Sequence, residues 1–163
     1  EELAKFGSQD IIQDIVPVLD SFDLALETLE KEGKSEKGMY MIDHFNKSFV
    51  STAKGNFEEA RALLDKYYTL RSNGDLTDPY GLISLAYILE QEGDFEAALK
   101  VAMVTRRLFE EQNIFPEPPD EKPLIAVETN AQNQLGEMDI SRIGKESSKE
   151  TVESLVLEFL RVN

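Results

Sequence analysis

An all-α fold built of antiparallel helix pairs is predicted by three observations on this sequence. Apolar residues recur in steps of three and four over most of its 163 positions, the period of a helix with one buried face. Gly, Pro and Asn-Gly pairs punctuate that period where helices would stop. Two eight-residue stretches also line up without a gap, each across a helix-turn-helix pattern. Stacked repeats and a compact helical bundle both satisfy these observations.

From Ser8 to Glu32 the apolar face comprises Ile11, Ile12, Ile15, Val16, Leu19, Phe22, Leu26 and Leu29. Asp14, Asp20, Asp23 and Glu27 fall mostly on the other side. Ser8 is a suitable N-cap, and Pro17 should kink or split the helix near Val16. After a glycine-bearing loop to Gly38, a second helix runs from Met39 to Lys54 through Met41, Ile42, Phe45, Phe49 and Val50. Gly55-Asn56 ends it, and a third runs from Phe57 to Leu70 through Ala60, Leu63, Leu64 and Tyr67. Ser72-Asn73-Gly74-Asp75 is a turn, with Asp78 as N-cap and Pro79 at the first helical position of the next helix. Leu82–Glu92 and Phe95–Gln112 form a further pair. Pro116, Pro118, Pro119 and Pro123 mark a linker over 116–123 between a region 1–115 and a region 124–163. In the latter, Leu124–Leu135 is helical, Gly136 and Gly144 punctuate, and Thr151–Val162 is a terminal helix through Val152, Leu155, Val156, Phe159 and Leu160.

Charge and composition narrow the function. Acids outnumber bases 32 to 17, a net charge of -15, which repels phosphate backbones and anionic lipid surfaces. Nucleic acid is not an expected partner. No apolar run approaches the ~20 residues of a bilayer-spanning helix, so no membrane insertion is expected. With no cysteine and a single histidine, disulfides, thiolate nucleophiles, Cys-ligated zinc and any two-imidazole site within one chain are ruled out. Glu1 in place of Met is expected of a fragment or a processed product, and the cytoplasm is the expected compartment.

The motifs of catalysis are missing. There is no phosphate-cradling glycine loop, no G-x-S-x-G elbow and no H-E-x-x-H. Asn73–Asp78 has a calcium-loop flavour, but the position for the bidentate Glu holds Ser84 or Ala86, depending on the register. No metal, no cofactor and no enzymatic activity are expected. His44 reads as a pH-sensitive contact or as a plain, partly exposed helix residue. Arg106-Arg107 with Lys100 is the one basic cluster on a helix; it either binds an acidic peptide or pairs with Glu at helical spacing.

The duplicated stretch is Lys54-Gly55-Asn56-Phe57-Glu58-Glu59-Ala60-Arg61 against Glu92-Gly93-Asp94-Phe95-Glu96-Ala97-Ala98-Leu99, with a degenerate third copy at Gly136–Ser141. Gly permits the tight turn, the aromatic packs on the preceding helix, and the small residue lets two backbones approach. Together with Leu85, Ala86 and Leu89, this resembles the tetratricopeptide repeat, a helix pair of about 34 residues that stacks into a right-handed solenoid. Here the glycines lie 38 and 43 residues apart, and Lys47 and Ser51 occupy positions where the family has large apolar residues. The resemblance implies an adaptor or co-chaperone-like module whose first helices line a groove for a partner's peptide. The implied groove residues are Ile42, Phe45, Asn46 and Phe49 in one pair and Tyr80, Ile83, Ser84 and Tyr87 in the next. That groove would be aromatic and neutral, without the cationic clamp of family members that hold a C-terminal carboxylate, so an apolar or mixed peptide is implied. A second likeness competes. Asp14-Ile15-Val16-Pro17-Val18-Leu19-Asp20-Ser21-Phe22-Asp23-Leu24-Ala25-Leu26-Glu27 and Gly38–Phe45 resemble the helical region of GrpE, the nucleotide exchange co-chaperone of DnaK-type chaperones. It covers residues 9–49 and has no counterpart of that family's β-domain.

Overall fold

The computed structural model describes residues 37–71 and 77–161. The predicted helix from Ser8 with its Pro17 kink, the Ser72–Asp75 turn and Val162 lie outside them. Every regular element among the described residues is a helix: α1 (Lys37–Ala53), α2 (Phe57–Arg71), α3 (Tyr80–Gln91), α4 (Phe95–Glu111), α5 (Pro118–Gln134), α6 (Glu137–Ser147) and α7 (Val152–Phe159). The chain divides into two compact units, 1–73 and 74–163.

In the first unit, α1 and α2 pack together across a three-residue connection, Lys54–Asn56. The Gly55 and Asn56 amides donate to the Thr52 and Ser51 carbonyls at 3.0 and 2.8 Å. These are the two bonds of a Schellman turn, with Gly55 in the left-handed region at φ +79°. Ala60 and Leu64 are completely buried. The polar residues at the family's apolar positions have found partners. Lys47 Nζ lies 3.0 Å from the buried Asp43 carboxylate, and Ser51 Oγ donates to Glu59 Oε2 across the turn at 2.9 Å.

The second unit opens with the same turn. Gly93 and Asp94 donate to Glu90 and Leu89 at 3.0 and 2.9 Å, with Gly93 at φ +86°. Asp94 Oδ1 then accepts from the Ala97 amide at 3.0 Å, so the residue that closes α3 also caps α4. At the other end of α3, Pro79 already has helical dihedrals, φ −82° and ψ −16°. Asp78, whose Oδ1 accepts from the Tyr80 amide at 3.1 Å, is the N-cap in substance, as its sequence position predicts. α4 packs against α3, α5 and α6, and α3 also packs against α5. Leu99, Ala131 and Ile143, from α4, α5 and α6, form a buried cluster, with Phe95, Met103, Leu135 and Ile140 against it.

Four expectations are corrected. The proline segment 116–123 is no linker beyond Glu117, because α5 starts at Pro118. Pro118 and Pro119 in the first turn remove only donors that lack intrahelical partners. Pro123 lies inside the helix and costs it one bond, and the Glu117 carbonyl takes the Asp120 and Glu121 amides at 2.9 Å each. Gly144 does not interrupt a helix but lies inside α6. Gly136 is not a left-handed turn residue like its two counterparts; it is the N-cap of α6, with φ −77°. The terminal helix is also shorter than predicted, ending at Phe159.

The two kinds of glycine should respond oppositely to a methyl group. A Cβ at Gly93 meets no atom within 4 Å, so Gly93→Ala carries only the left-handed backbone cost, about 1–2 kcal/mol of stability. Gly144 sits in ordinary helix, where a Cβ would reach only Met103 Sδ at 4.0 Å. Gly144→Ala should therefore gain about 0.5–1 kcal/mol. Urea unfolding of both variants checks the signs.

Candidate functional site

The residues predicted to line a groove fall on two helices, four in each unit. On α1, Phe45, Asn46 and Phe49 are half-buried, and Ile42 beside them is exposed. The Phe45 ring is tilted against Tyr67 at 5.4 Å between centroids. Tyr67 in turn stands edge-on to Tyr68 at 5.0 Å, and the Arg71 guanidinium donates to the Tyr67 hydroxyl at 3.0 Å. Tyr68 is wholly buried, and burial drives its phenol far above the ordinary range, which the nearby Arg71 charge only partly offsets. Phe45 is thus the outer member of an aromatic row that continues into the core. Phe49 lies one helical turn further along the same face.

α3 is a different kind of helix. Every residue from 81 to 90 is buried except Tyr87. Ser84, at 3% exposure, has no surface to offer a peptide, and Ile83 is buried with it. Tyr80 is half-buried with its ring edge-on to Phe109 at 5.1 Å. Burial raises the Tyr80 phenol, and the charges of Asp120, Asp78 and Glu117 add to the rise. Tyr87 is raised by burial and then by Glu90. Of the second set, only Tyr80 and Tyr87 reach solvent.

The basic cluster on α4 is engaged within the protein, and mostly by other helices. Arg106 makes a two-point contact with Glu128 of α5, Nε and Nη2 each 3.0 Å from a carboxylate oxygen, and a third bond to Glu121 at 3.2 Å. Lys100 is clasped by Glu150 at 3.2 Å and Glu158 at 2.8 Å, with the Phe159 ring 5.6 Å away. Burial works to lower Lys100, but the hydrogen bonds and charges of Glu158 and Glu150 outweigh it and hold the amine above its usual value. Arg107 pairs with Glu111 at 3.0 Å and also donates to the Glu150 carbonyl. Only this Glu111 pair has the helical spacing read from sequence. The pairs to Glu121, Glu128, Glu150 and Glu158 had no local signal to announce them.

Among the described residues, no group of three or more His, Asp or Glu side chains is placed to hold a metal ion. His44 is half-buried, its Nδ1 4.0 Å from Asp43. No described helix is long and apolar enough to cross a membrane. No family model, curated protein or solved structure matches the chain.

The N-terminal ends of α3 and α5 carry two carboxyls held above their ordinary range. Asp78 is raised by burial, against the lowering effect of the Tyr80 amide. Asp120 is raised by burial and then by Glu117. A folded-state pKa above the unfolded value favours the protonated form in the fold. The resulting stability is fully present below the ordinary carboxylate value and is lost as pH rises through the raised one. Lowering pH from neutral toward the ordinary carboxylate value should therefore favour the fold through these two groups. Glu150, held below its usual value, acts the other way at still lower pH. The gain toward the ordinary value should be smaller in Asp120→Asn. Parallel curves for the two proteins in urea titrations across that range would show that Asp120 contributes nothing to it.

Proposed function

We propose that this chain is a non-catalytic protein–protein interaction module, an adaptor or scaffold of tetratricopeptide-like helix pairs that holds a peptide segment of a partner protein. The observation that carries the reading is the pair of turns at Gly55 and Gly93. They share a hydrogen-bond pattern, bond for bond, at a spacing of 38 residues, and both place glycine at positive φ. A unit that recurs with its turn chemistry intact is a repeat in the structural sense. In the second unit α3 touches α4 and α5, and α4 touches α5 and α6. Packing on the next helix and on the one after it is compatible with a stack of pairs.

In the first unit the proposed contacts are Phe45, Asn46 and Phe49 on α1, with Ile42; in the second they are Tyr80 and Tyr87 on α3. Ser84 supports α3 from inside. These side chains suit an apolar or mixed segment gripped by aromatic anchors. Carboxylates elsewhere steer cationic partners but add little affinity once salt screens them. The module works in the cytoplasm and needs no cofactor.

Co-purification of the full chain identifies the bound polypeptide, and calorimetry with a synthetic peptide from it tests the assignment. Phe49→Ala and Tyr87→Ala should each weaken binding by about 1–3 kcal/mol while the melting temperature stays close to that of the parent. Leu85, completely buried, should respond differently, Leu85→Ala losing about 2–5 kcal/mol of stability. If Tyr87→Ala lowers the melting temperature as far as Leu85→Ala does, Tyr87 belongs to the core and the contact assignment fails.

A further inference from the structure

Between α4 and α5 stands Phe115, which is 83% exposed, the only phenylalanine so open among the described residues. One exposed apolar side chain is ordinary in itself. What distinguishes this one is the way its backbone is held. α4 ends in a third Schellman turn, with Asn113 at φ +53°. The Asn113 and Ile114 amides donate to Glu110 and Phe109 at 3.0 and 2.9 Å. The Gln112 side chain ties this turn to the Thr77 carbonyl at 2.6 Å, and Phe109 is buried against Tyr80. On the far side the Glu117 carbonyl already accepts the first amides of α5. Pro116 disfavours helical dihedrals at Phe115. Little conformational freedom remains to be lost when the ring is buried by a partner.

In sequence the ring is flanked mainly by acids, with Lys122 the exposed cation at the start of α5. Glu110, Glu117 and Asp120 form no ion pair among the described residues. The nearest arginines are taken, Arg106 by Glu121 and Glu128 and Arg107 by Glu111. Asp120 carries the strain of this arrangement, burial and then Glu117 holding its carboxyl above the usual range. A cation brought to this edge would relieve it.

We propose that Phe115-Pro116-Glu117 is a docking element in its own right, a preorganised aromatic knob for a partner protein whose apolar pocket is rimmed by Lys or Arg. The carboxylates that attract such a rim repel phosphate backbones and anionic lipid, so the partner is a protein. Its own three residues are not groove residues, and although Tyr80 packs on Phe109 of the supporting turn, Tyr87 does not belong to it and separates the two proposals.

The test places the photo-crosslinking residue p-benzoylphenylalanine at position 115 of the full chain, with position 153 in α7, also exposed, as control, in an extract of the source cells. Capture alone counts for nothing; the adducted protein is identified, purified and titrated against the full chain. The expected result is a complex that Phe115→Ala weakens by about 10–30-fold. Glu117→Lys should weaken it too and flatten its salt dependence. The melting temperature of Phe115→Ala and the affinity of Tyr87→Ala should match the parent. Four results overturn the proposal: no adduct beyond that at position 153, adducts with a second copy of this chain only, no binding by the purified protein, or Phe115→Ala binding as tightly as the parent.

Discussion

A helix that stops must do something with its last carbonyls, and here the next helix has to begin three residues later. Those two demands meet on one backbone conformation. A left-handed residue lets the following amide reach back across the whole last turn. At Gly93 the residue after it, Asp94, gives its amide to α3 and its side chain to α4. Orphaned groups at both ends are thus satisfied by two adjacent residues. Anything longer would let the helices splay, and anything with a side chain at the glycine would resist the left-handed turn. The hairpin, the register of Ala98 in the interface and the burial of Leu99 all follow from that conformation.

Packing around α4 is sorted by charge as well as by shape. Lys100, Arg106 and Arg142 each reach a carboxylate on another helix, the last donating to Glu96 at 2.6 Å. Each of these contacts is partly solvated, and such pairs contribute little net stability. Their effect lies in selection among alternatives. An α5 shifted by one turn would leave Arg106 facing the wrong residues, and an α7 docked elsewhere would strand Glu150 and Glu158.

Local chemistry is the part of this architecture that a single sequence carries openly. Gly55, Gly93 and Asp78 act through neighbours within five residues, and their turns and caps could be read before any fold was known. The proline segment misled because prolines at a helix start and prolines in a linker share one composition; only the position of Glu117 as cap separates them. Gly144 misled for the opposite reason. Its intrinsic cost is overridden by α6 packing against α4, a contact between residues far apart in sequence. The same distance hid the ion pairs, with Lys100 and Glu158 separated by 58 positions. Helical periodicity placed Ser84 on the same face as Tyr80 and Tyr87, but periodicity cannot say how many neighbours a helix will acquire. α3 acquired enough to close over Ser84.

That last point bears on how a small all-helical chain divides its surface between holding itself together and meeting others. α3 is buried almost throughout because it lies between α4 and α5, and a helix so placed has only its longest side chains to offer. Tyr80 and Tyr87 reach out where Ser84 cannot, for reasons of length alone. α1 keeps more of its face: Ile42, Phe45 and Phe49 line one side, while Asp43, Ser48, Ser51 and Thr52 fill buried positions with polar groups. A serine hydroxyl turned back to its own helix, as Ser48 donates to Phe45 O at 2.7 Å, satisfies itself without adding apolar contact. Helix α1 therefore buries less apolar surface than its length would allow and leaves its large side chains toward the outside. The half-burial of Phe45 and Phe49 thus follows from a helix that spends its inward positions on polar residues.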